Sequence, residues 1–160
     1  YKTDIPVDKI KTLFCNEQGY QTPKHDTRAA IFQNDKILLV QESDGRWALP
    51  GGWVDVLETI KSNTEKEVYE EAGLIVEAQY LIAIHDHHKR NTAQFPYSVL
   101  KSFVMCNLIS GEFKPNIETI SSNYFELDKL PLLAREKNTP EQIKLCFEAY
   151  HSPNWVTQFD

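Results

Sequence analysis

The spacing of apolar residues changes period along this chain, and each change marks an element. Ile10, Leu13 and Phe14 form a short apolar stripe at helical spacing, with Asp8 near its start. Residues 19–24, Gly-Tyr-Gln-Thr-Pro-Lys, are punctuated by Gly and Pro and read as a connector. From Arg28 the pattern predicts strands over 29–33 and 37–41, joined by a turn at Asn34-Asp35. A second turn at Asp44-Gly45 leads to a short strand at 47–49, a Pro50-Gly51-Gly52 loop and an extended segment at 53–56. Residues 59–72 then read as a helix. Ile60, Thr64, Val68 and Ala72 form its core stripe, and Gly73 is suited to a left-handed cap. Long strands are predicted near 74–84 and 97–108, and a short one at 124–125. The last helix, 139–150, has Thr139 as N-cap, Pro140 in the first position, and an apolar face of Ile143, Cys146, Phe147 and Tyr150. This alternation implies an α/β fold, a mixed sheet with helices on its faces.

A chain of 160 residues suits one domain with a sizeable core. Its formal net charge of -6 argues against nucleic acid or an anionic membrane as a partner bound through a broad basic surface. No apolar run of roughly 18 residues is present, so no membrane-spanning helix is expected. Cys15, Cys106 and Cys146 are odd in number and lack metal-site spacing, and they read as free thiols of a reducing cytoplasm.

The candidate chemistry centres on Glu67, Glu70 and Glu71, at i, i+3 and i+4 of the predicted helix. That spacing places three carboxylates side by side, next to the core stripe. Most acidic helix faces are simply solvated. Clustered carboxylates nevertheless repel unless cations separate them, and hard oxygen donors suit Mg²⁺ or Mn²⁺, commonly with help from substrate phosphates.

The context of the three glutamates is specific. From Gly52, five residues lead to Glu58 and seven more to Lys66, followed by Glu67-Val68-Tyr69-Glu70-Glu71-Ala72-Gly73-Leu74. This register resembles the Nudix box at every fixed position but one, the family's Arg being Lys66 here. The segments 19–24, 45–53 and 117–119 extend the resemblance to bacterial ADP-ribose or CDP-choline pyrophosphatases that carry a helical N-terminal extension.

The resemblance implies a Nudix-type α/β/α sandwich over 25–160, with 1–24 as the end of the extension and its linker. It implies hydrolysis of the pyrophosphate bond in a nucleoside diphosphate linked to another moiety, with Mg²⁺ or Mn²⁺ as cofactor and a homodimer among the states found in relatives. Glu67, Glu70 and Glu71, with Gly51, are the implied metal-binding group; Glu58 is a supporting residue. Lys66 stands where a forked cation would orient a box carboxylate, and an ammonium orients less strictly. Ser121 stands where related sequences carry a Glu, which leaves Glu118 as the downstream candidate for the general base. Two other classes compete with this reading: an RNA-directed Nudix enzyme, and a non-catalytic Nudix-fold nucleotide-binding regulator.

Around this group, Arg28 and Lys101 are cations on otherwise apolar strands. Each either snorkels outward or lines a site against a substrate phosphate. Arg46 has the same two readings. Gly52 lets backbone approach the site closely. Trp47 and Trp53 flank the Gly-Gly pair, where each either packs in the core or stacks on the substrate. His85, His87, His88, Lys89 and Arg90 form a cationic loop that reads first as solvated and second as a phosphate contact; no third ligand stands at zinc-site spacing.

Overall fold

The structure is a computed structural model and describes Pro6, Asp8 and residues 19–92 and 94–160. The stripe at Ile10, Leu13 and Phe14 lies outside the described residues, as does Cys15. The elements run in the order β1 (Lys24–Gln33), β2 (Lys36–Glu42), β3 (Trp47–Ala48), β4 (Gly51–Trp53), α1 (Ile60–Ala72) and β5 (Leu74–Asp86). They continue with α2 (His87–Arg90), β6 (Val99–Gly111), β7 (Thr119–Phe125), a 3-10 turn (Leu127–Lys129), α3 (Pro140–Tyr150) and β8 (Gln158–Phe159).

One mixed sheet of eight strands has the order β3-β2-β1-β6-β5-β8, with β4 added to β1 and β7 to β2. β1 pairs with β6, and β5 with β8, in parallel; the remaining pairings are antiparallel. The sheet forks at β1. Its first half pairs with β4 (Asp26 with Trp53, Arg28 with Gly51), and its last residues pair with β2 (Phe32 with Ile37).

Strict alternation in the central strands makes both sheet faces apolar. Ala30, Ile37, Leu39, Phe103 and Met105 face one core with Ile143, Cys146 and Phe147 of α3. Ala29, Ile31, Leu38, Val40, Val104 and Cys106 face the other with Val68 and Ala72 of α1. A strand buried on both faces reads as a continuous apolar run, and the two cores give the α/β/α layering.

The helix ends follow from capping chemistry. Thr59 and Ser62 form a capping box at the start of α1, and Gly73 ends it at φ 69°. Thr139 and Gln142 do the same for α3, with Pro140 in the first turn. Among the described residues no helix is long and apolar enough to cross a membrane.

Four local expectations need correction. Gly51 and Gly52 are strand, not loop, because their backbone pairs with β1; the strand ends at Trp53, with one further bond from the Val54 N–H to the His25 carbonyl. The short strand expected at 124–125 begins at Thr119, since polar Ser121, Ser122 and Asn123 are held by pairing with the apolar β2. The cationic loop contains a helical turn, α2, capped by the Asp86 side chain. β1 begins at Lys24, so the polar stretch before Ala29 belongs to the sheet.

Gly51 is required by proximity. A Cβ there would lie 1.8 Å from the Thr27 carbonyl oxygen, which is backbone and has no rotamer to yield. Gly51→Ala is therefore expected to lower the melting temperature and to weaken the β1–β4 pairing. Thermal unfolding and amide exchange at Ala29, whose N–H donates to the Pro50 carbonyl at 2.8 Å, check this; an unchanged melting temperature would refute it.

Candidate active site

A cavity of about 610 Å³ opens beside this fork, bordered by Gly51, Gly52, Glu67, Glu71, Glu118 and Thr119. Asp26, Arg28 and Lys101 border it further along β1 and β6, and Trp53, His87, Phe95 and Val99 border it as well. Strand register orders these groups. Gly51 sits opposite Arg28, Trp53 opposite Asp26, Asp26 beside Lys101, and Lys24 beside Val99. The cavity thus runs from an acidic group at α1 past a buried cation pair to aromatic side chains.

Glu67 and Glu71 are one helical turn apart. The Gly51 N–H donates to Glu71 Oε2 at 3.0 Å. A Cβ on Gly52 would stand 3.1 Å from the Glu67 carboxyl carbon, so the glycine pair admits both side chains. Burial, the largest influence, pushes the Glu71 carboxyl up to about 7 against the pull of Arg28 and the Gly51 N–H. Burial and then Glu70 raise Glu67, with Glu118 adding to the repulsion. Glu70 itself is exposed and off the cavity wall.

This donor set fits a divalent ion. Two carboxylates are desolvated and repel their acidic neighbours, a cost that a bound cation removes. Among the described residues no three His, Cys, Asp or Glu side chains form a closed cage. Glu67 and Glu71 are the residues that would hold such an ion, with substrate phosphates and water completing its oxygen ligands.

The loop bearing Glu118 is tied to the same helix. Asn116 Oδ1 accepts from the backbone N–H groups of Glu118 and Thr119, each at 3.0 Å. Asn116 Nδ2 and Thr119 Oγ1 donate to the Glu71 carbonyl at 3.1 and 2.6 Å. The downstream carboxylate is thereby held at the end of α1.

Arg28 is buried and committed to three oxygens. Its Nε and Nη2 each donate to the Asp26 carboxylate at 3.1 Å, and Nη1 donates to the Leu49 carbonyl at 3.0 Å. Lys101 also pairs with Asp26. Burial raises Asp26, but Arg28 and then Lys101 outweigh it and hold the carboxyl below its ordinary value. Burial first, with Arg28 adding, draws the Lys101 ammonium down to about 8. Two cations share one carboxylate here, leaving a net positive field next to Glu71 and the cavity.

The remaining expected site residues divide. Trp53 borders the cavity, with Lys24 Nζ 5.5 Å from its ring centroid. Trp47 packs edge-on against Phe125 and does not border the cavity. Arg46 is held by Glu136 at 2.8 and 2.7 Å and by Asp44 at 2.9 Å, outside the cavity wall. Glu58 accepts from Ser62 at the start of α1.

Lys66 pairs with Asp55, not with a box glutamate, and Asp55 borders the cavity. Lys66→Ala and Asp55→Asn are each expected to lower turnover several-fold, up to about tenfold, with the double variant no worse than either single one. Lys66→Arg should keep activity. Additive losses in a double-mutant cycle would show that the two act separately.

Asp26, Asp55 and Phe95 escaped the sequence reading, as did Glu42 and Lys137, which pair with each other on the cavity wall. Asp26 was legible in principle, because its two-residue offset from Arg28 puts both on one strand face.

A family model described as NUDIX domain matches residues 23–146 of this chain. The putative ADP-ribose pyrophosphatase YjhB of Bacillus subtilis is 37% identical over 155 residues, spanning 96% of this chain and 74% of that protein. The crystal structure of an ADP-ribose pyrophosphatase from Streptococcus suis is 59% identical, with TM-score 0.82 over 87% of this chain and 100% of that one. That of a UDP-X diphosphatase is 29% identical, with TM-score 0.82 over 98% and 76%.

Proposed function

Because this chain belongs to the NUDIX domain family and is a pyrophosphohydrolase of that family, we propose that it cleaves the diphosphate of a nucleoside diphosphate joined to a second moiety, with ADP-ribose as the favoured substrate. The observation that carries this reading is the desolvated Glu67–Glu71 pair beside the Arg28–Lys101 cation pair in one cavity. The names of two similar proteins, both ADP-ribose pyrophosphatases, support the choice of substrate. CDP-choline is the less favoured alternative: Lys24 already lies over the Trp53 ring, where a quaternary ammonium would otherwise stack.

Each residue then has a stated task. Arg28 and Lys101 draw the diphosphate into the cavity by charge. Gly51 fixes one Glu71 oxygen and so orients its carboxylate. Glu67 and Glu71 would hold Mg²⁺ or Mn²⁺, which would neutralise the diphosphate's charge. Glu118 takes the proton of the attacking water. The water oxygen bonds to one phosphorus, the bridging P–O bond breaks, and the products are a nucleoside monophosphate and phospho-X.

Hydrolysis in ¹⁸O-water tests the reading. ADP-ribose should yield AMP and ribose 5-phosphate, with one ¹⁸O in one of them and none in inorganic phosphate. No turnover of ADP-ribose, CDP-choline or UDP-sugars with either metal would defeat it.

Ion binding at Glu71 also has a pH signature. Its folded pKa of about 7 lies above the ordinary 4.5, so in metal-free protein its contribution to stability is full below about 4.5 and is lost as pH rises through about 7. Mg²⁺ is therefore expected to raise the melting temperature more at pH 8 than at pH 5. This difference should shrink in Glu71→Gln. Equal metal-induced shifts at the two pH values would contradict it.

A further inference from the structure

His87 begins α2 and forms part of the cavity wall while being 2% exposed. Its Nε2 lies 3.0 Å from the Glu136 backbone carbonyl oxygen. A carbonyl only accepts, so Nε2 carries the hydrogen. Burial, and then the Lys101 charge, lower the imidazole pKa and so favour the neutral ring. Nδ1 is therefore a bare acceptor, and it has no hydrogen-bond partner among the described residues. Lys101, whose charge reaches the ring, donates to Asp26 and makes no bond to Nδ1. A buried acceptor left unmatched costs stability, and the open volume that this ring borders is the cavity.

The surroundings identify what would match it. The Phe95 ring is 4.8 Å from the imidazole and 6.4 Å from the Trp53 ring. Trp53 lies two strand residues beyond Gly51, which holds Glu71, so this aromatic group is set off from the diphosphate end. A flat ring suits aromatic neighbours.

We propose that His87 is a specificity-determining residue whose Nδ1 accepts a hydrogen bond from the exocyclic amino group of the substrate's nucleobase. The assignment rests on the nucleoside diphosphate reading above. It selects 6-aminopurine or 4-aminopyrimidine bases over bases with a carbonyl at that position, whose oxygen would face the bare nitrogen.

The test compares kcat/KM for ADP-ribose and for its hypoxanthine counterpart, which has oxygen in place of the amino group. Wild type should favour ADP-ribose by about tenfold or more, since a site built around a substrate N–H rejects an analogue lacking it. His87→Gln keeps a donor for Glu136 and removes the acceptor at the Nδ1 position; its ratio should fall close to one. His87→Phe, which keeps a ring, should do the same if the Gln variant unfolds. Equal wild-type rates, or an unchanged ratio in a folded variant, would overturn the assignment of His87 and leave the diphosphate chemistry standing. No hydrolysis of either compound would overturn both.

Discussion

Glu67→Gln and Glu71→Gln are each expected to lower kcat by about 100-fold or more, equivalent to roughly 2.7 kcal/mol of transition-state stabilisation. The fold should survive both changes. Neither side chain fills the core; Val68 and Ala72 do that on the adjacent stripe of α1. Glu71→Gln should even melt slightly higher without metal, because it removes a charge that burial disfavours and keeps an oxygen to accept the Gly51 N–H. The double variant should not multiply the losses, since groups that serve one ion act as a unit. Steady-state rates under saturating Mg²⁺ or Mn²⁺ check this, and near-wild-type kcat in both single variants would place the chemistry elsewhere.

Arg28→Met is expected to cost both stability and activity. The side chain makes two hydrogen bonds to Asp26 and one to the Leu49 carbonyl, all buried. Removing one member of a buried ion pair costs about 3–5 kcal/mol, because the partner charge stays behind. For a chain of this size that is a fall of roughly 10 °C in melting temperature. Lys101 softens the loss, as it also pairs with Asp26. Arg28→Lys should rescue little, because an ammonium cannot reproduce a fork that serves three oxygens. A melting temperature within about 2 °C of wild type would show the triad to be loosely held.

What was legible in the sequence was whatever local chemistry decides. Thr59 and Thr139 mark helix starts by side-chain caps, Pro140 by its fixed φ, and Gly73 a helix end by its left-handed backbone, and those ends stand where expected. Of the stripe Ile60, Thr64, Val68 and Ala72, the last three are buried and Ile60 is partly buried against the same core. What failed was decided by distant partners. Gly51 and Gly52 read as loop because glycine permits one, yet β1 captures them as strand. Ser121 to Asn123 lack apolar character and are strand only because β2 offers an edge. Arg46 and Trp47 adjoin the Gly-Gly segment in sequence, but Arg46 is tied up by Glu136, itself on the cavity wall, and Trp47 packs on Phe125, so neither borders the cavity. Phe95 carries no local signal of importance, and Asp26 only its two-residue offset from Arg28. Their neighbours in the cavity come from β4, β6 and α2, which only the sheet order brings together.

The most direct test of the account is ADP-ribose turnover by chelator-treated protein, followed by return of Mg²⁺ or Mn²⁺, in wild type and in the Glu67→Gln/Glu71→Gln double variant. The account predicts no AMP release without metal, restored release in wild type, and a restored rate at least about 100-fold lower in the double variant. Metal-independent hydrolysis, or equal restoration in both proteins, would contradict it.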